Sequence, residues 1–218
     1  MDRVTDAFVW PFRDPDWAGK IAIIGLILLI PIVGGINDLG WMLAALDRLR
    51  AGEERLPPAN FDYLGRGVQL FLTYLVYYLV LALVGLLLYA PAIVILSVQG
   101  RGHPNPVLVS LAVALLLLTI SVVTLGSLLL TFAMPAIVLA VDRGGIAAGM
   151  HLGQIVANMR VSLINTLIAG LMLIAAGLVG QLGGVVCVVG VVFTSAYALA
   201  MQAWIIRSYE MSSTPATE

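Results

Sequence analysis

The side chains able to do chemistry are few and scattered. Asp38, with Asn37 before it, is the only acid in or beside an apolar stretch. A carboxylate there can hold an ion or a proton next to the Gly34-Gly35 break. The commoner use of such an acid is to cap, at the membrane–water interface, the helix that begins at Leu39. Ser121, Thr124, Ser127 and Thr131 recur every three or four residues and would align along one helix face. They could line a polar path, but hydroxyls in this pattern usually bond back to their own backbone and serve packing. Asn165 and Gln181 offer interhelical or turn hydrogen bonds. His103 and His151 have no other His, Cys or acid at ligand spacing, which argues against a metal site. Cys187 has no base beside it and reads as a small apolar side chain. With no nucleophile–base pair, metal cluster or phosphate loop, the expectation is a protein with no catalytic residue, metal or cofactor, and no enzyme.

The elements around these residues are dictated by hydrophobicity. The chain is 61% hydrophobic and 11% charged, against roughly 45–50% and 25% in soluble domains. Mean hydropathy is +1.05. From Val161 to Ile206 there are 46 consecutive residues without Asp, Glu, Lys or Arg. A bilayer core of roughly 30 Å takes about 20 helical residues, so this run is long enough for two crossings. The expectation is an all-α, polytopic transmembrane bundle of about five spans with interfacial amphipathic helices. A net charge of −1 leaves no basic patch for nucleic acid. The first 20 residues carry three basic and four acidic residues and no apolar core, which predicts an uncleaved chain.

In chain order, 1–20 reads as an interfacial tail, with Phe8, Trp10, Phe12 and Trp17 at the headgroup level and Asp14-Pro15 starting a helix. The membrane domain runs from 21 to 206. Its spans are expected at about 21–37, 68–98, 107–141, 161–179 and 185–206, and its interfacial helices at about 39–50 and 142–160. Pro31 and Gly34-Gly35 predict a kink or break in the first span, and Pro135 a break in the third. A re-entrant hairpin with its apex near Gly35-Ile36-Asn37-Asp38 is the other reading of the first segment. Gly180-Gln181-Leu182-Gly183-Gly184 has turn composition. Small residues four apart predict close helix packing at Gly145, Gly149 and Gly153, at Ala176, Gly180 and Gly184, and at Ala196 and Ala200. Residues 207–218 read as a disordered polar tail.

Several short motifs occur together: Phe12 with Asp14-Pro15-Asp16-Trp17, then Ile30-Pro31, Gly40-Trp41, Gly52, Leu56-Pro57, and a late Cys187-Val188-Val189-Gly190 leading to Tyr197. This pattern resembles the bacterial and archaeal membrane-protein family catalogued as domain of unknown function 4013, over nearly the whole chain. The resemblance implies a polytopic helical domain in a prokaryotic cell membrane and no assigned activity. The first and last spans also match at an offset of 156, pairing Gly34 with Gly190, Gly40 with Ala196, Trp41 with Tyr197 and Ala44 with Ala200. Duplicated halves are a habit of transporters.

With five spans, the basic residues divide four against seven, which favours a cytoplasmic C-terminus. A re-entrant first segment would instead put ten of the eleven on one side. The partners expected are the lipid bilayer and other membrane subunits or a second copy. Three function classes follow: an accessory, scaffold or assembly subunit, a small-molecule or ion transporter, and a lipid enzyme. The first suits the short loops and the scarcity of buried charge, and the third lacks the residues it would need.

Overall fold

The computed structural model describes residues 3–100, 104–186 and 188–213. Arg101, His103, Cys187 and residues 214–218 lie outside them. All regular structure among the described residues is helical. Two 3-10 turns, Val4–Phe8 and Trp10–Arg13, precede α1 (Trp17–Leu28), α2 (Val33–Arg50), α3 (Leu64–Gln99), α4 (Pro106–Gly149), α5 (Leu152–Val161), α6 (Leu163–Val186) and α7 (Val188–Ser213). An apolar segment without water must satisfy its backbone N–H and C=O groups internally, and a helix does so. By length and apolarity three described helices, α3, α4 and α6, can cross a membrane. The expected count of five is not reached on that measure.

Where one membrane domain is expected, the chain forms two compact units: Met1–Thr73 with Thr131–Glu218, and Tyr74–Leu130. In the second unit Gly85 lies against the Val123 side chain and Gly126 against Leu81. The pairs step in opposite directions along the chain, as in an antiparallel helix pair. Leu87 and Leu129 are 73% and 67% exposed there, so apolar surface faces outward.

The first unit begins with a helical hairpin. The stretch expected as one span over 21–37 is interrupted, because α1 ends at Leu28 and α2 starts at Val33. Between them the Val33 N–H donates to the Pro31 carbonyl at 2.7 Å. Ile32 sits at φ 66°, ψ −60°, a tight γ-turn that a β-branched residue enters only under strain. The feet of the hairpin are tied together. Lys20 donates to the Asp14 carboxylate at 2.7 Å and to the Leu56 carbonyl at 2.9 Å, and the Leu56 N–H donates to Asp14 at 2.8 Å. The chain that leaves at Lys20 has therefore returned by Leu56, and its apex lies at 29–32 rather than at Gly35–Asp38. Asp14, expected to start a helix with Pro15, is instead a buried hub, since the helix starts only at Trp17. Burial works to raise its pKa, but Lys20 and the Asp16 and Leu56 N–H groups bring it below the ordinary value.

One of the four tail aromatics is core, while Phe12 stays 51% exposed. Trp10 is fully buried, stacks on Trp204 with centroids 5.9 Å apart, and donates from Nε1 to the Ala200 carbonyl at 3.1 Å. Trp204 Nε1 donates to the Arg3 carbonyl at 2.8 Å. An indole is buried readily once its N–H finds such a partner. Trp41, Leu43 and Leu46, within the expected interfacial helix over 39–50, are likewise buried.

Ions lock the helix ends. Arg50 makes a two-pronged contact with Glu210 at 3.0 and 2.9 Å and reaches Asp142 at 2.6 Å. Arg66 joins Asp142 at 2.6 Å and also pairs with Asp47. Arg143 and Arg207 reach Glu210 at 2.8 and 3.0 Å. This cluster ties α2, α3, α4 and α7 together. The last turns of α7 are thus packed through Ser213, where a disordered tail is expected from 207.

Glycine lets backbones touch at two crossings. A Cβ on Gly67 would lie 1.8 Å from the Ile36 carbonyl oxygen, and one on Gly40 2.0 Å from that of Tyr63. On α6 and α7, a Cβ on Gly183 would lie 2.2 Å from the Gly190 carbonyl oxygen. The turn expected at Gly180–Gly184 is accordingly helix, and α6 continues to Val186. In α4 the helix passes through Pro135, and the non-helical residue is Gly145, at φ 68°. The expected interfacial helix over 142–160 becomes the end of α4 and the separate α5.

Two outcomes follow. Gly67→Ala should lower the stability of the detergent-solubilised protein by about 1–3 kcal/mol, since two backbones must part. Gly153→Ala, with nothing within 4 Å, should change it by less than about 0.5 kcal/mol. Equal losses in thermal unfolding would refute the crossing. For Glu210, burial works to raise the pKa, but Arg50, Arg143 and Arg207 hold it down to about 2 from 4.5. A depressed folded pKa contributes stability that is present above the unfolded value and lost as pH falls through the folded one. Melting temperature should therefore fall between about pH 4.5 and 2, and Glu210→Gln should be less stable at neutral pH and flatter across that window.

Candidate functional site

One cleft gathers the polar groups that the fold leaves unsatisfied. It measures about 370 Å³ and opens between α2, α6 and α7, with Phe71 of α3 on its wall. Asp38 on α2, Gln181 on α6, and Ser195 and Gln202 on α7 supply its polar lining. Glycines at 35, 177 and 180 keep it open. Asp38 is completely buried. Neither of its carboxylate oxygens has a hydrogen-bond partner within the protein, and the same holds for Gln202 Oε1. Of five such buried side-chain atoms among the described residues, three belong to this cleft. Native folds pair nearly all buried polar atoms, so a concentration of exceptions marks a place to look for function.

The local sequence explains the position of Asp38. The γ-turn at Ile32 sends α2 back along α1, and Asp38 follows in the second turn of the returning helix. It caps nothing, because α2 has already begun at Val33 and not at Leu39. Asn37 beside it faces elsewhere. Its amide donates to the Asn60 carbonyl at 2.9 Å, and its oxygen accepts the Tyr63 N–H at 3.4 Å. The neighbouring amide thus fastens α2 to the following loop.

The other sequence candidates are dispersed. Gln181 shares the cleft with Asp38. Asn165 bonds Ser162 and donates to the Ser212 carbonyl at 3.2 Å, holding the start of α6 to the end of α7. Thr124 and Ser127 lie in the second unit, apart from the cleft's residues in the first. Nearby Ser121 bonds back to the Leu117 carbonyl at 2.8 Å. Among the small residues, Ala176, Ala196 and Ala200 are fully buried. Gly180 approaches Ala198 and Gly184 approaches Val191. Gly149 packs against Val141 and Thr73, Gly145 is the break in α4, and Gly153 meets nothing.

Sequence reasoning missed Gln202 and Ser195. Gln202 carried a usable signal, as a third amide beside Asn165 and Gln181 inside the charge-free run. One of the four pairs at the offset of 156 consists of glycines in close backbone contact. Gly34 presses on the Ile27 carbonyl of α1 and Gly190 on Gly183 of α6, each just into the returning helix of its hairpin.

No curated protein and no solved structure matches this chain. A family described as a protein of unknown function (DUF4013) matches residues 23–189. That stretch takes in the α1–α2 turn, the Asp38 helix and the three long apolar helices, and on it the chain belongs to the DUF4013 family.

Proposed function

We propose that this protein is a non-catalytic component of the cell membrane that acts by packing its helices against other membrane subunits. The observation behind the reading is the bare apolar surface of α3 and α4. Only 11% of the most apolar stretch of each is buried within the chain, against 33% for α6. Surfaces of that length and apolarity suit hydrocarbon or another membrane helix and not water.

In this reading α3, α4, α6 and α7 cross the bilayer, and α1–α2 is a re-entrant hairpin. A helix rises about 1.5 Å per residue, so the 12 residues of α1 reach about 18 Å, short of a crossing. Both termini and the loop after α2 then lie on one side. Arg3, Arg13, Lys20, Arg48, Arg50, Arg66, Arg143 and Arg207 all take part in the first unit's ion pairs. Their concentration supports placing that side in the cytoplasm by the positive-inside rule. A second reading, transport of a small solute or ion, is favoured by the cleft at Asp38.

Two experiments test this. A mild-detergent pull-down of the tagged chain from its own membrane should return a stoichiometric membrane partner. A monodisperse particle alone would overturn the accessory role. With Cys187→Ala as background, Thr5→Cys and Ala51→Cys should react with an impermeant maleimide only after the cell is opened. Labelling of Thr5→Cys in intact cells would restore a crossing first segment.

A further inference from the structure

We infer that the Asp38 cleft is a binding site for one small monovalent cation, an alkali ion or a primary ammonium. All three unpartnered atoms are acceptors: Asp38 Oδ1, Asp38 Oδ2 and Gln202 Oε1. Among the described residues lining the cleft, Asp38 is the only ionisable one, so no Arg, Lys or His supplies the missing donor. An anion would meet repulsion there, and an apolar molecule would leave three buried acceptors unpaired at the cost of full desolvation. A cation or an ammonium supplies what they lack.

Valence follows from the charge count. One carboxylate balances one positive charge. No three His, Cys, Asp or Glu side chains converge among the described residues, as a transition-metal site would need, and one carboxylate would leave a divalent ion half neutralised. Hard oxygens from a carboxylate, an amide and the Ser195 hydroxyl suit an alkali ion. The same atoms accept the N–H groups of an ammonium, and Leu39 and Phe71 offer apolar wall to a short carbon stem. A cleft of about 370 Å³ holds several times the roughly 30 Å³ that one water occupies in the liquid, room for an ion with its waters or for a small amine.

This inference does not rest on the accessory or the transport reading, since a bound cation can be structural in the one and cargo in the other. The test uses the full chain in detergent at pH 8 and constant ionic strength. Thermal unfolding is followed while N-methylglucamine, neither an alkali ion nor a primary ammonium, is exchanged for sodium, potassium or methylammonium. Binding of radioactive sodium and methylammonium is counted in parallel. A saturable rise in melting temperature with one of the small cations, at one site per chain, is expected. An alkali ion alone or methylammonium alone identifies the source of the charge. Asp38→Asn should abolish the rise. Gln202→Met, which keeps the carboxylate, should weaken binding by about tenfold, as for about 1.4 kcal/mol of lost interaction. Identical melting in all four salts without counted binding would overturn the site. So would a saturable rise that survives Asp38→Asn. If Asp38→Asn does not fold, the Gln202→Met affinity decides: an unchanged value refutes the assignment.

Discussion

The arrangement depends on one cluster of buried and half-buried ions, in which the Arg50 guanidinium bridges Glu210 and Asp142. Apolar helices in hydrocarbon gain little by choosing one neighbour over another, because lipid tails are as apolar as leucine. Their contacts are also tolerant of sliding. A planar guanidinium that must meet carboxylates on two different helices removes that freedom, since a slip of one turn would strand a buried charge. The cluster sets the register of α2, α3, α4 and α7 at once. Its value lies in specifying one packing more than in raw stabilisation, and Arg serves where Lys would offer only a point charge.

Given that register, the helices can afford backbone contact. Gly40 and Gly67 bring α2 and α3 together, and Gly183 with Gly190 does the same for α6 and α7. Close approach raises van der Waals contact per residue, the main attraction available between helices in lipid. The α1–α2 hairpin is held differently. Its turn carries Ile32 at positive φ, and a conformation of that kind persists only when the surroundings over-determine it. The Asp14–Lys20–Leu56 clasp at its feet, and α7 against its side, provide that determination.

The cleft is a by-product of these constraints that the chain has not filled. Glycines at 35, 177 and 180 withhold the side chains that would close it, and Asp38 and Gln202 place acceptors where leucine would pack. Burial of an unpaired carboxylate is among the more expensive things a fold can do. A fold that satisfies Asn37, one residue earlier, with two backbone partners has the means to satisfy Asp38 and leaves it open. That contrast sets the carboxylate apart from the amide beside it.

Much of this was legible from residue order alone. A 46-residue stretch without charge points to helices in an apolar medium, because a helix satisfies its backbone polar groups within the segment. The break near Pro31 and the isolation of Asp38 as an acid among apolar residues were equally local, and so were readable. What local pattern could not supply was partnership. Trp10 and Trp41 look like interfacial anchors until a carbonyl on another segment accepts each indole N–H. The glycines of 180–184 have turn composition, but tertiary contact uses them for packing. Gln202 became notable only when α7 brought it to the cleft of Asp38. Residue order by itself determined the apolar surroundings and the helical class, since both depend on hydrophobicity and backbone chemistry within a segment. The choice of a hairpin and its apex, the ion cluster and the cleft were decided by tertiary structure, because each joins residues far apart in the chain whose meeting no local periodicity encodes.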